Sequence, residues 1–342
     1  MIRSPMGNPI VQECRGLILD RHENWSVLSF PFRKFFNYGE GHAATIDWST
    51  ARAEEKVDGS LVTLYEDRRG VSENVHLRFP WRIQTLGEMD ASGRVNRADM
   101  IFRDLFIRTF SGGSNAVLDD RLSKLPTGAC YTFELATPSN RVVTPYAKDR
   151  LVLLSARSTV SLDEWRREHI DALAVRLGVE RPNSYACFDM ASVVEMAAAL
   201  PTLEEGYVVV DGAFNRVKVK NPAYIAIAHM KDSAFASRRG LLEMARGGGS
   251  DDFLSIFPEM QSDYDAIMSS YENAIKRCED VYEAASVQFA PSDMKGFAVA
   301  IQAANPPSTA PLFALRRGKT ASIRSWFDGQ PSDKVLEVLG GI

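Results

Sequence analysis

The chain has 342 residues, 45% hydrophobic and 25% charged, with a formal net charge of −4. That length suggests two domains or one large one. No apolar run approaches the ~18 residues of a membrane-spanning helix, and the charge balance does not advertise a nucleic-acid binder, although local basic patches count for more than the total. Cys14, Cys130, Cys187 and Cys278 lack CxxC spacing. They argue against a zinc site or a disulfide framework, and with a start free of a secretory h-region they point to the reducing cytoplasm.

In chain order, CRGLILD (14–20), WSVLSF (25–30) and SLVTLYE (60–66) predict strands. A helix follows over 96–110, where NRADMIFRDLFIRTF has apolar residues at helical spacing. CYTFELA (130–136) and RLVLLSA (150–156) are strands, and SLDEWRREHIDALAVRLG (161–178) is a helix with a capping box, Ser161 with Glu164, closed by Gly178. GYVVVD (206–211) and RVKVK (216–220) complete the strands. Strands and helices do not alternate strictly, so an α+β domain with antiparallel sheets fits better than a doubly wound parallel sheet. After residue 235 the pattern changes. ARGGGSDD (245–252) is a glycine-rich break, and a helical stripe follows through Tyr264, Ile267, Met268, Tyr271, Ile275, Cys278, Val281 and Tyr282. PSDMKGFAVAIQAA and PSDKVLEVLGG each open with a helix-start signal. The expected division is 1–235 and an all-helical 236–342.

Several short stretches carry chemistry. Lys56-Val57-Asp58-Gly59-Ser60 enters an apolar strand. Alone it reads as a solvated hairpin, since Asp-Gly is a common turn signal; its sharper reading is a lysine nucleophile on a turn facing a phosphate. Glu205 and Gly206 enter a strand of three valines, and a carboxylate there suits a hard divalent cation. In RVKVK, Lys218 and Lys220 share one strand face. They read as basic decoration or as a cation pair for a nucleotide phosphate. Glu134 lies on the polar face of YTFELA, and Lys34 sits beside Phe35 and Phe36 in FRKFFNYGE.

The order of these motifs is more specific than any one of them. Arg-Gly at 15–16, KFFN, KVDGS, FELATPSNRVV, EGYVVV and KVK resemble the covalent nucleotidyltransferases, and in particular the ATP-dependent RNA ligase 1 family known from phage tRNA-repair ligases, over about residues 11–231. The resemblance implies an adenylyltransferase domain at 1–235 and ATP as AMP donor, with Mg2+ or Mn2+. Lys56 would be the nucleophile, Asp58 and Gly59 would shape its turn, and Lys218 and Lys220 would lower its pKa and neutralise the transition state. Arg15, Lys34, Phe36, Glu55 and Gly206 would border the nucleotide, Glu134 would reach the ribose or a metal water, and Glu205 would serve the metal. The family's further basic residue after the nucleophile strand falls on Arg78, with Arg82 as runner-up. The implied partners are RNA 3′-hydroxyl and 5′-phosphate ends, cleaved tRNA among them, prepared by a separate healing enzyme. Apart from the resemblance, Arg316, Arg317, Lys319 and Arg324, clustered beside Trp326, read either as a solvated basic face or as a surface by which the helical domain holds RNA. Competing readings are a DNA ligase or capping-type enzyme, and a silent RNA-end binding protein on the same fold.

Overall fold

The computed structural model describes residues 7–67, 80–95, 99–235, 238–247 and 250–340. They fall into two units, Met1–Ile227 and Ala228–Ile342. The first opens with helix α1 (Pro9–Glu13), whose N-cap Asn8 accepts from the Ile10 N–H, and the antiparallel pair β1 (Ile18–Asp20) and β2 (Ser26–Ser29). Then come β3 (Phe36–Asn37), β4 (Arg52–Glu55), β5 (Ser60–Glu66), β6 (Trp81–Thr85), α2 (Phe102–Ser111), α3 (Asn115–Ser123), β7 (Ala129–Ala136), β8 (Arg150–Ser158), α4 (Arg167–Leu177), β9 (Ser184–Ala186), α5 (Met190–Ala198), β10 (Gly206–Val210) and β11 (Arg216–Lys220). Helix α6 (Pro222–Phe235) starts two residues after β11.

The strands form two larger sheets, β3-β11-β10-β4-β9 and β6-β5-β7-β8. Pairing is antiparallel except between β3 and β11, which run parallel. In the four-stranded sheet, Val62, Leu64, Phe133 and Leu153 are fully buried against Phe106 and Phe110 of α2 and Leu173 of α4. The Phe106, Phe110 and Phe133 rings meet at 5.5–6.0 Å, so their burial stabilises this half of the unit by roughly 1.5–3 kcal/mol per side chain. In the five-stranded sheet the period of two sorts the faces. Ala53, Val209, Val217 and Val219 pack with Val193 and Ala197 of α5, while Arg216, Lys218 and Lys220 remain half-buried on the other face.

Two sequence readings are corrected by the fold. Helix α4 begins at Arg167, not at Ser161, and has no side-chain cap. The would-be capping glutamate, Glu164, is instead drawn inward, where two arginines bind it. A buried double ion pair outcompetes one exposed cap bond. Strand β4 also went unpredicted. Its sequence, Arg-Ala-Glu-Glu, has little β-propensity, and only Ala53 reaches the core. It is a strand because β10 and β9 pair with it on either side.

The second unit is helical among the described residues, with α7 (Arg238–Gly247), α8 (Ser250–Ile256), α9 (Gln261–Gln288), α10 (Met294–Ala304), α11 (Ala310–Arg316), α12 (Ile323–Asp328) and α13 (Ser332–Val338). The expected stripe is the buried face of α9: Ile267, Tyr271, Ile275 and Cys278 point inward. Asp293 caps α10, accepting from Gly296 N–H at 2.8 Å. The four basic residues are not equivalent. Arg316 donates to the Phe289 and Ala290 carbonyls and lies over the Phe297 ring. Arg324 pairs with Glu272. Both are therefore occupied in joining helices, whereas Arg317 and Lys319 are exposed. No helix among the described residues is long and apolar enough to cross a membrane.

Candidate active site

Residues 56–59 carry the chain from β4 in one sheet to β5 in the other, so the turn is fixed at both ends by ladders. The Lys56 N–H donates to the Gly206 carbonyl at 2.9 Å. Its Nζ donates to Glu205 Oε2 at 2.6 Å, and Lys220 Nζ reaches Glu205 Oε1 at 2.9 Å. One buried carboxylate thus holds the turn lysine and a strand lysine together. This reverses the expectation that neighbouring cations depress the Lys56 pKa. Burial does pull it down, but the charges of Glu205 and Glu134 and the Glu205 hydrogen bond outweigh that, and the pKa stands above that of a free lysine.

Asp58 does not face the cavity. It is 3% exposed. Its Oδ2 accepts from the N–H groups of Val143 (2.8 Å) and Thr144 (2.7 Å), and its Oδ1 from the Tyr224 hydroxyl (2.7 Å). The Asp58 N–H donates to the Tyr146 hydroxyl at 2.9 Å. Asp58 is a fastening that sets the turn, and both tyrosines escaped the sequence reading. Tyr224→Phe removes one hydrogen bond to a charged group and is expected to cost about 1.5–3 kcal/mol. Thermal unfolding should show the loss, and an unchanged melting curve would mean the contact contributes nothing.

Two glycines are required by close approach. A Cβ on Gly59 would run into the Leu135 carbonyl oxygen, and one on Gly206 into that of Val219. Gly206 also has φ +135°, which side chains rarely adopt. Glu134 on β7 sits opposite Leu61 of β5 and borders the same cavity as Lys56. Burial pushes its carboxyl up to about 8, helped by Glu205 and Asp58, although Lys56 and the Gly59 N–H oppose the shift.

The cavity beside Lys56 has a volume of about 270 Å³. Lys56, Gly59, Glu134, Glu55, Arg15 and Lys218 all line it. Lys218 carries a pKa pushed down to about 8 by burial and by the charges of Lys56, Arg15 and Lys220. Glu55 accepts from Asn183 at 2.8 Å and from Arg150 at 3.2 Å, which secures the residue before the turn lysine. Phe36 does not line the cavity. It is buried against His42, and Phe35 takes the place expected of it, with Lys218 Nζ 4.8 Å from the Phe35 ring centre. Lys34 stands over Phe36 and borders an adjoining hollow with Arg15 and Lys218. Arg78 lies outside the described residues. Arg82 is on β6, ion-paired with Asp67 at 3.9 Å, away from the cavity lining. The apolar walls, Phe32, Phe35, Leu154, Pro182 and Val208, were missed as site residues because they look like ordinary strand and loop hydrophobics.

A family model described as RNA ligase matches residues 13–224. The chain belongs to the RNA ligase family. The match spans the turn lysine, Glu205 and the strand lysines, and ends where α6 begins. The RNA ligase of Rhodothermus phage RM378 is 26% identical to this chain over 346 residues, covering 83% of this chain and 75% of that protein. The putative bifunctional polynucleotide kinase/RNA ligase of Autographa californica nuclear polyhedrosis virus is 27% identical over 276 residues, covering 75% of this chain but 36% of that protein. Among solved structures, a lysine-to-alanine mutant of the Naegleria gruberi RNA ligase with ATP and Mn is similar at 12% identity and a TM-score of 0.38, covering 53% of this chain and 52% of that one.

Proposed function

We propose that this RNA ligase family member joins RNA 3′-hydroxyl and 5′-phosphate ends at the expense of ATP, through a lysyl-AMP on Lys56. The observation that carries the reading is the convergence of the turn lysine with Glu134 and Lys218 at one inter-sheet cavity, and its link through the buried Glu205 carboxylate to Lys220, Glu205 and Lys220 both lying outside the cavity lining. In the first step the neutral Lys56 amine attacks the α-phosphorus of ATP. A P–N bond forms, the bond to the bridging oxygen breaks, and pyrophosphate leaves with its electron pair. The 5′-phosphate of RNA then takes the AMP, freeing Lys56. Finally the 3′-hydroxyl attacks that activated phosphate and AMP departs. Such transfers need in-line positioning and charge neutralisation more than covalent help.

The resting amine is held protonated by Glu205, so it must first pass a proton to that carboxylate or to water before its lone pair can attack. Lys218 and Lys220 stand ready to offset charge on the phosphoryl group. Of the carboxylates that line the cavity, Glu54 and Glu55 are paired with arginines, which leaves Glu134, with Glu205 bonded to Lys56 outside the lining; among the described residues no three His, Cys, Asp or Glu side chains group into a metal cage. That suits Mg2+ or Mn2+ arriving with phosphate oxygens and water, which need only one or two protein carboxylates. Such an ion supplies charge neutralisation on the phosphates. Incubation with ATP and Mg2+ followed by intact mass tests the reading: the chain should gain one AMP.

The same proposal assigns residues 1–235 to adenylyl transfer and the helical unit to holding RNA, with cleaved tRNA as the substrate class and end healing left to a separate activity. It rests on the exposed Arg317 and Lys319, since Arg316 and Arg324 are already engaged. Replacing Arg317 and Lys319 by Ala should weaken binding of a nicked stem-loop several-fold at low salt and flatten its salt dependence by about two charges. An unchanged salt slope in a binding titration would remove this surface from consideration.

A further inference from the structure

Glu164, expected at a helix cap, is instead the centre of a buried ion cluster. Its side chain is 2% exposed. Arg216 of β11 grips it with both terminal nitrogens, Nη1 to Oε2 at 3.0 Å. Arg157 of β8 donates to Oε2 at 3.2 Å, and the Ser155 hydroxyl to Oε1 at 3.1 Å. The cluster therefore ties a strand of one sheet to a strand of the other. Two non-glycine residues beside it have left-handed backbones, Leu162 (φ +64°) and Phe214 (φ +63°). Their carbonyls accept from the same arginines, Arg157 to Leu162 and Arg216 to Phe214, each at 3.2 Å. Conformations of this kind persist where surrounding contacts over-determine them, and they collect at working sites.

Strand β11 has reason to need such an anchor. Beyond β10, its other neighbour is β3, which pairs with it only at Val217 and Lys218. Arg216 lies on the same strand face as Lys218 and Lys220, and it lines the Lys56 cavity. Glu164 does not line that cavity; it borders a neighbouring one behind Arg216. The two cations are also seated alike, Arg216 over Phe32 and Lys218 over Phe35, each 4.8 Å from the ring centre.

We propose that Glu164 is a positioning residue for adenylyl transfer, acting through Arg216 to set where β11 presents Lys218 and Lys220. The inference rests on the function proposed above. Single-turnover lysyl-AMP formation at saturating ATP is to be measured for wild type, Glu164→Gln, Arg216→Lys and the double variant, with ATP affinity and melting temperature alongside. Misplacement of the cations is expected to slow the reaction on the order of tenfold to a hundredfold. The rate should fall more than ATP affinity does, and the double variant should be no slower than Arg216→Lys, because one residue works through the other. Arg216→Lys keeps the charge but loses the two-pronged grip, so it decides the matter if Glu164→Gln does not fold. Wild-type rates in a folded Glu164→Gln or Arg216→Lys variant, or effects that multiply in the double variant, would overturn the inference. Amine labelling of Lys218, read by peptide mass, provides an arm independent of turnover. Its rate should change several-fold in Glu164→Gln relative to Lys319, and an unchanged ratio counts against the inference. If wild type forms no lysyl-AMP, the proposed function fails, and labelling alone decides whether Glu164 sets Lys218.

Discussion

Lys56→Ala is expected to gain no mass on incubation with ATP and Mg2+, under conditions where the wild-type chain gains one AMP. The loss should be complete, because a methyl group cannot form the P–N bond and no other amine is placed on the turn. Glu205 could in principle recruit Lys220, whose Nζ is already 2.9 Å away. But Lys220 extends from β11, its amine is held by Glu205 over the Tyr224 ring, and it does not line the cavity that Lys56 borders. The fold should survive. The turn is held by the Lys56 N–H to Gly206 and by the four hydrogen bonds of Asp58, none of which uses the lysine amine. Glu205 keeps one cation, so its buried charge is not abandoned. An adduct of the same stoichiometry in a folded Lys56→Ala chain would assign the nucleophile elsewhere.

The second large effect is expected at the strand lysines. Lys218→Ala and Lys220→Ala should each slow adenylylation by about 10²–10³, the usual consequence of deleting a preorganised charge from a phosphoryl or oxyanion site. Replacement of the exposed Asn215 at the preceding hairpin should not. Lys218 and Lys56 should impose opposite pH dependences on the reaction. Lys218 titrates at about 8, so its charge is present below that pH and lost above it. The amine of Lys56, with a pKa raised by Glu205 and Glu134, works in the opposite sense and favours reaction as pH rises. The wild-type rate should climb with pH and then turn down above about 8. Lys218→Arg keeps its charge throughout this range and should erase the downturn. A pH–rate profile in which Lys218→Arg and wild type turn down together would separate the alkaline limb from Lys218.

The parts of the fold that were legible are those whose side chains do the pairing work. SLVTLYE and RVKVK coincide with β5 and β11 because branched residues alternate across a pleat. RAEE could not be read as a strand, since its reasons for being one are its neighbours β10 and β9. The site shows the same divide. Lys56, Glu205 and Lys220 announce themselves as charged residues at strand mouths, and the structure brings them within hydrogen-bond reach. Tyr146 and Tyr224 reach Asp58 from 88 and 166 positions away, and no local pattern marks such a hydroxyl. In KFFN, alternation sends two adjacent phenylalanines to opposite sides, and composition alone does not say which ring meets the cavity. Glu164 was misassigned because a capping glutamate and a buried ion-pair glutamate have the same local spacing.

The seat of Lys218 on the Phe35 ring has a consequence for how the cavity keeps its attraction for anions. A carboxylate neighbour would steady the amine but cancel its charge, and it would compete for any divalent ion entering with a phosphate. The ring steadies the amine through its quadrupole. It has no proton to gain or lose and no affinity for a hard metal. Among the described residues Lys218 pairs with no carboxylate, unlike Lys56 and Lys220. Its charge is therefore left unspent until a phosphate arrives, and a rise in metal concentration has nothing there to strip away.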